Sequence, residues 1–143
     1  MLDNPVALAA VPPPIIIPAM GAYHPDFPAR FSQDPDQILQ FLNAQGRKDV
    51  VAIGFHARYL ESGAMAHIDA ITRAVEARGL VALPVFYTLG PHANLTQLLQ
   101  HRVQALLHLQ PVYHNGLLPH LQQLGIPVLQ GISWWNGNEQ DWR

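Results

Sequence analysis

The sequence predicts an α/β fold, an open parallel sheet of about four strands with crossover helices in the manner of a flavodoxin or Rossmann domain. Two observations carry this prediction. From Asp49 onward, short apolar runs alternate with amphipathic segments, and a strand that follows a helix in this way pairs parallel to the previous strand. Before that point the chain is rich in proline, which predicts an extended lead-in followed by one helix.

The apolar runs are short, which is typical of buried strands. They are VVAIGF (50–55), LVALPVFYT (80–88), QALLHLQ (104–110) and IPVLQGIS (126–133). The segments between them have helical periodicity. We predict helices over GAMAHIDAITRAVEARG, ending at Gly79, over NLTQLLQHR and over GLLPHLQQLG.

The lead-in spans residues 1–31 and holds seven of the 13 prolines, each of which fixes its own φ and biases the residue before it away from helix. Residues 32–143 form the predicted α/β domain. Its first helix lies in DPDQILQFLNAQG, where Asp34 caps, Pro35 takes the first helical position and Gln37 closes a capping box. Gly46 is predicted to end this helix.

Composition excludes several classes of function. The 143 residues suffice for one domain, and only 13% are charged against about 25% in an average soluble domain, which predicts a partly covered surface. A net charge of -2 provides no basic field for nucleic acid. The chain has no cysteine, hence no disulfide or thiolate metal site, and we see no signal peptide or membrane span, so we expect a cytoplasmic protein.

Ligands of such sheets gather beyond the carboxyl ends of the strands. Four segments of the sequence are predicted to lie at this edge: HARYLESG, TLGPHAN, PVYHNG and SWWNGNEQDWR. They supply polar and aromatic candidates for a binding site, namely His56, Arg58, Glu61, His92, Tyr113, His114, Trp134 and Trp135.

Eight histidines suggest a metal site, but none has a ligand spacing such as His-Glu-x-x-His, so the metal ligands stay unknown. His101 and His120 lie on short polar helices and are expected to be solvated. His108 lies within a predicted strand and is expected to be a hydrogen-bonded core residue. His24 is the better candidate, since the prolines of GAYHPDFPARF hold it in place.

Arg58 follows the first predicted strand and precedes a helix that we expect to begin near Ser62 and Gly63. A guanidinium beside a helix N-terminus binds a carboxylate or phosphate well. The alternative is a surface pair with Glu61. No glycine-rich phosphate loop and no nucleophile elbow occurs in the sequence.

His67 and Asp69 lie near the start of the same predicted helix. Either these side chains carry out acid–base chemistry, or they have ordinary surface roles. In the second case Asp69 pairs with Arg73 four residues on, and His67 is solvated.

Taken in order, four stretches resemble a known family. GAYHPDFPARF, VVAIGFHARYL, AHIDAITRAVEARGLVALPVF and LGIPVLQGIS resemble the large subunits of cobaltochelatase and magnesium chelatase, the CobN and H-subunit family. The resemblance runs from about Pro18 onward, and it implies that the chain is a fragment of the N-terminal region of a much larger subunit.

The resemblance implies a tetrapyrrole-binding scaffold. Members of this family insert cobalt or magnesium into a corrin or porphyrin ring, a ligase reaction that forms nitrogen–metal bonds, with ATP hydrolysed on separate AAA+ subunits. The implied partners are therefore the tetrapyrrole, those ATPase subunits and the remaining domains of the large subunit, and this domain itself is expected to hold no cofactor and to be inactive alone. Implied catalytic residues are His24, His67 and Asp69, and implied ligand-binding residues are Tyr23, Arg58, His56 and Glu61.

The sequence departs from the family pattern at two places. A gapless match puts Ala57 opposite the family's arginine, with Arg58 one place late, and Ala64 with Met65 opposite a polar pair. A second function stays open, that of a stand-alone flavodoxin-like module that binds a small anion or a protein without catalysis.

Overall fold

The computed structural model describes residues 12–88, 93–110, 116–131 and 140. These residues form one mixed six-stranded sheet with helices on both faces. The strands are β1 (Met20–Tyr23), β2 (Phe31–Ser32), β3 (Val50–His56), β4 (Val81–Tyr87), β5 (Ala105–His108) and β6 (Val128–Gln130).

The strand order is β2-β1-β4-β3-β5-β6. The four strands β4, β3, β5 and β6 are parallel, which confirms the predicted α/β class with its parallel sheet. The lead-in supplies the other two strands. β1 pairs antiparallel with both β4 and β2, so the extended segment predicted from the prolines continues the sheet beyond β4.

The described helices are α1 (Pro35–Phe41), α2 (Ala57–Ser62), α3 (Ala66–Glu76), α4 (Ala93–Leu99) and α5 (Leu117–Leu124). One face of the sheet packs against α1, α4 and α5 through a cluster that includes Ile38, Leu99 and Leu121. The other face packs against α2 and α3 through Phe55, Met65, Ile68 and Phe86. Alternate residues of a strand point to opposite faces, so each central strand serves both clusters.

The two helices that follow β3 differ from prediction. The ARYLES segment after β3, predicted as a loop, forms α2, so Arg58 lies inside a helix rather than ahead of one. The next helix begins at Ala66 rather than near Ser62. The side chain of His56 caps α2, since its Nδ1 accepts a hydrogen bond of 3.0 Å from the Arg58 N–H.

The ends of α1 also differ in part. Asp34 caps this helix as predicted, accepting from the Asp36 N–H at 3.0 Å. The Gln37 side chain accepts from the Ser32 hydroxyl instead of closing a capping box. The helix ends at Phe41, before the left-handed Asn43, and not at Gly46.

Candidate functional site

The last residue of β1 reaches α3 through its side chain. Tyr23 is fully buried, and its hydroxyl donates to Asp69 Oδ1 at 2.7 Å. The same oxygen accepts a hydrogen bond of 2.9 Å from the guanidinium of Arg30, which lies just before β2. Burial and the Asp69 carboxylate raise the pKa of Tyr23 to about 12, so the phenol stays a donor at neutral pH. We call Tyr23, Arg30 and Asp69 the Tyr23 cluster.

His24, directly after Tyr23, contacts α3 further along. The ring is fully buried, its Nδ1 accepts from the Asp26 N–H at 3.2 Å, and its Nε2 lies 3.0 Å from Glu76 Oε1. Because Nδ1 accepts, Nε2 carries the proton and donates to Glu76. Both ring nitrogens of His24 are thus engaged within the fold.

Arg73 ties the His24 region together at the surface. Its guanidinium donates to Asp26 Oδ1 at 2.6 Å and to Glu76 Oε2 at 2.9 Å. The hydrogen bond from Arg73 lowers the pKa of the Asp26 carboxyl. Arg73 therefore pairs with these two acids, whereas Asp69, for which a pair with Arg73 was the alternative prediction, binds Tyr23.

Asp69 and Glu76 lie seven residues apart on α3, about two helical turns or 10 Å. Residues at this spacing share one face of a helix. The end of β1 and the residue after it therefore hold α3 at two points along the same helical face.

His67 lies in the first turn of α3 and packs against α2. Its ring meets the Tyr59 ring edge-on, with centroids 4.7 Å apart. Partial burial is the main cause that lowers the pKa of His67, and a backbone hydrogen bond with Ala64 and the Asp69 charge oppose it. The imidazole is therefore neutral at pH 7 and can accept a proton.

The other predicted residues of this region lie on or before α2. His56, half-buried, caps the helix, and burial together with the Arg58 charge lowers its pKa. Arg58 and Glu61 are exposed. The structure thus brings Tyr23 and Asp69 into contact and sets His67 two residues from Asp69, whereas His24 bonds separately to Glu76.

Arg30, Tyr59 and Glu76 are functional candidates that the sequence did not single out. Arg30 lies in the GAYHPDFPARF stretch, and its place in that stretch was the sequence signal that could have identified it. Of the predicted edge residues, His92, Tyr113, His114, Trp134 and Trp135 lie outside the described residues.

A buried polar network joins the carboxyl ends of β4, β5 and β6. The Tyr87 hydroxyl bonds to His108 Nε2, and His108 Nδ1 lies 3.1 Å from Gln130 Oε1. The Gln130 amide nitrogen donates to the carbonyls of His108, Gln110 and Gly131, so its oxygen must accept from His108 Nδ1–H. His108 Nε2 then accepts from Tyr87. His108 is fully buried, as expected for a hydrogen-bonded core residue.

An open cleft of about 770 Å³ lies apart from these groups, between α1, α4 and α5. Asp36 and Arg102 form an ion pair of 2.8 Å at its wall. The other lining residues carry amide, hydroxyl or imidazole groups: Thr96, Gln97, Gln100, His101, His120 and Gln123. The cleft therefore has little net charge.

No three His, Asp or Glu side chains within the described ranges lie close enough together to hold a metal ion. None of the helices in the described part of the chain is long and apolar enough to cross a membrane.

Comparison with known proteins identifies the family. The family model described as CobN/Magnesium Chelatase matches residues 2–143. The chain belongs to this chelatase family. It is 31% identical over 126 residues to the magnesium-chelatase H-subunit of Rhodobacter capsulatus, a match that covers 81% of the chain and 10% of that protein. It is 34% identical over 73 residues to the magnesium-chelatase H-subunit of Cereibacter sphaeroides, covering 51% of the chain and 6% of that protein.

Family membership confirms the resemblance seen in the sequence. Because the chain spans about a tenth or less of the length of these relatives, it corresponds to a small part of a chelatase large subunit. The Tyr23 cluster and His67 lie within two of the stretches that carried the resemblance, GAYHPDFPARF and AHIDAITRAVEARGLVALPVF.

Proposed function

We propose that the chain is a tetrapyrrole-binding part of a chelatase large subunit, and that the surface around the Tyr23 cluster and His67 contacts the macrocycle. The observation that carries this proposal is the 2.7 Å bond from Tyr23 to Asp69, because it joins two of the four stretches of family resemblance at one place. The neutral imidazole of His67 lies two residues before Asp69 on α3, and the Asp69 charge acts on it.

The chemistry of metal insertion supports this assignment. A metal-free tetrapyrrole must lose two pyrrole protons as the metal enters, so the site needs groups that accept protons. His67 is half-buried and neutral at pH 7, which suits it to accept one. Asp69 accepts the Tyr23 hydroxyl on Oδ1, and its second oxygen, Oδ2, has lone pairs for a second donor.

The Arg30 guanidinium at the same surface is complementary in charge to the carboxylate groups at the edge of a tetrapyrrole. Tetrapyrrole precursors carry carboxylate side chains, and the exposed Arg30 guanidinium can pair with a carboxylate in bidentate geometry. We assign the same role to Arg58, with His56 orienting it through the cap of α2 and Glu61 flanking it. His24, fully buried with both ring nitrogens engaged, acts as a positioning residue for Glu76 and Asp26.

In this proposal the metal, cobalt or magnesium, is substrate, and ATP is hydrolysed on separate AAA+ subunits. The remaining domains of a large subunit enclose the macrocycle from the other sides. We place the protein in the cytoplasm, which its lack of cysteine supports.

A porphyrin titration tests the proposal. The full chain is titrated with metal-free protoporphyrin while the Soret band is followed, and we expect saturable binding. His67→Ala and Arg30→Gln should each weaken binding about tenfold, the loss of about 1.4 kcal/mol typical of one polar contact.

The matched control is His101→Asn, an exposed imidazole in the separate cleft, for which asparagine suits the positive φ of 63°. This variant should bind as the parent does. A Soret band that does not respond to the chain, or equal losses in His67→Ala and His101→Asn, would contradict the proposal. Binding of small anions without porphyrin binding would favour the stand-alone module instead.

A further inference from the structure

Tyr59 on α2 and His67 on α3 are two half-buried rings that contact each other. Their centroids lie 4.7 Å apart and their planes meet at 72°, an edge-to-face arrangement that aromatic pairs favour. The two residues belong to different helices, so the contact depends on how α2 and α3 are joined. Tyr59 therefore reaches the proposed proton acceptor from outside the helix that carries it.

The short link between the two helices fixes this geometry. Helix α2 ends at Gly63, which has a left-handed φ of 72°, and the Met65 N–H donates to the Gly63 carbonyl at 2.9 Å. Met65 is buried, and α3 begins at the next residue. The link is thus held by its backbone and by a buried side chain, which leaves α2 and α3 little freedom to move apart.

The core holds Tyr59 as well. Its side chain packs against the buried cluster on this face of the sheet, which includes Phe55 and Ile68. The imidazole of His56 caps the first turn of the short helix that carries Tyr59. Because the fold has already ordered this ring, its contact with a second side chain costs little further conformational entropy. Tyr59 is therefore a rigid surface against which the imidazole of His67 rests.

We propose that Tyr59 is the positioning residue of His67, and that it holds the imidazole in the orientation in which one ring nitrogen faces the bound macrocycle. This inference rests on the proposed function, in which His67 accepts a pyrrole proton. In that step the pyrrole N–H bond breaks, its electron pair stays on the pyrrole nitrogen, and the proton binds the lone pair of the imidazole. An imidazole that turned freely would present this lone pair correctly only part of the time, so a fixed ring favours the transfer.

The same contact helps to keep the imidazole neutral. Partial burial is the main cause that lowers the pKa of His67, and the Tyr59 ring supplies part of that burial. The Asp69 carboxylate opposes this shift, whereas Arg58 and Glu61, the charged residues of α2, are exposed. Tyr59 thus acts on His67 in two ways, by orienting its ring and by excluding water from one side of it.

An NMR titration of the full chain tests the contact without any porphyrin. The ring C–H resonances of His67 are followed against pH, with His67→Ala used to assign them. We expect the pKa of His67 to rise toward the ordinary value of about 6.5 in Tyr59→Ala, and to stay as in the unaltered chain in Tyr59→Phe, which keeps the ring. The matched control is Leu60→Ala, since Leu60 packs against the same core cluster from the same helix. This variant should leave the pKa of His67 unchanged.

Porphyrin titration provides a second measurement. Tyr59→Ala should weaken the binding of metal-free protoporphyrin about fivefold, the size of effect that one aromatic contact contributes, and Leu60→Ala should leave it unchanged. An unchanged pKa of His67 in Tyr59→Ala, or an equal rise in Leu60→Ala, would overturn the positioning role even where porphyrin binds. A chain that binds no porphyrin, while Tyr59→Ala still raises the pKa of His67, would instead overturn the proposed function and with it the use that we assign to this contact.

Discussion

The Tyr23 hydroxyl donates to the Asp69 carboxylate across a separation of 46 residues, with donor and acceptor 2.7 Å apart. This bond joins the antiparallel strand β1 to α3, and Arg30 reaches the same hydroxyl from the far side of the β1–β2 loop. Three segments of the chain therefore meet at one phenol oxygen, so removal of that oxygen tests both stability and the proposed site.

Tyr23→Phe removes both hydrogen bonds while keeping the ring packed against Phe55. We expect a loss of about 1 to 2 kcal/mol in the free energy of unfolding, since two hydrogen bonds disappear and Asp69 loses its donor. Urea unfolding followed by circular dichroism measures the loss. In Asp69→Asn the amide oxygen still accepts from Tyr23, so this variant should lose less, and the opposite order would contradict the assignment.

The ionisation of Tyr23 gives a pH test. Its pKa is raised to about 12 in the folded chain, against about 10 in an unfolded one, so the stability that this group contributes is complete below pH 10. That contribution is lost as the pH rises through about 12. Titration of the tyrosinate absorbance should show a step near pH 12 that is missing in Tyr23→Phe, and identical curves for the two proteins would contradict this.

The buried His108 predicts how the stability of the chain changes at acid pH. Burial lowers its pKa in the folded chain, so below the unfolded value of about 6.5 the unfolded chain binds the proton more readily. Stability therefore falls as the pH drops below about 6.5. The half-buried His56 and His67 have lowered pKa values as well and add to this slope.

Substitution of His108 separates its contribution to this pH dependence from those of His56 and His67. His108→Leu should cost about 1 to 3 kcal/mol at neutral pH, because the buried Tyr87 hydroxyl loses its acceptor, and should flatten the acid slope. Denaturant unfolding at several pH values measures both effects. Gln100→Ala, which removes an exposed amide and no titratable group, is the control and should leave the slope unchanged.

The sequence was sufficient for the parallel part of the fold. The apolar runs that form β3, β4 and β5 are short and bounded by turn residues. A strand that is buried on both faces is a continuous apolar run, so it can be predicted without knowing which strands it pairs with. β1 and β2 could not be predicted in this way. They are brief, lie between prolines, and form only because β4 offers a free edge to Met20–Tyr23.

The site was predictable only in part, for a similar reason. His67 and Asp69 were placed on a helix because helical periodicity is local. The contact of Asp69 with Tyr23 depends on how β1 is aligned with β4, which no local pattern encodes. Helix α2 was missed because its cap is the imidazole of His56, an acceptor outside the usual Ser, Thr, Asp and Asn.

The tight fit of β1 against its neighbours provides a last prediction. A Cβ on Gly21 would lie 2.4 Å from the Ser32 carbonyl oxygen and 2.8 Å from the Phe86 ring. Because backbone of β2 cannot move without breaking the β1–β2 pairing, Gly21→Ala should cost at least about 2 kcal/mol, at the upper end of typical overpacking. Gly54→Ala is the graded comparison, since its Cβ would meet only side chains, at 3.3 Å, and these can shift. Thermal unfolding of both variants measures the difference. A larger loss in Gly54→Ala would mean that β1 does not pack against β2 and β4 as described, and the alignment that brings Tyr23 to Asp69 would fail with it.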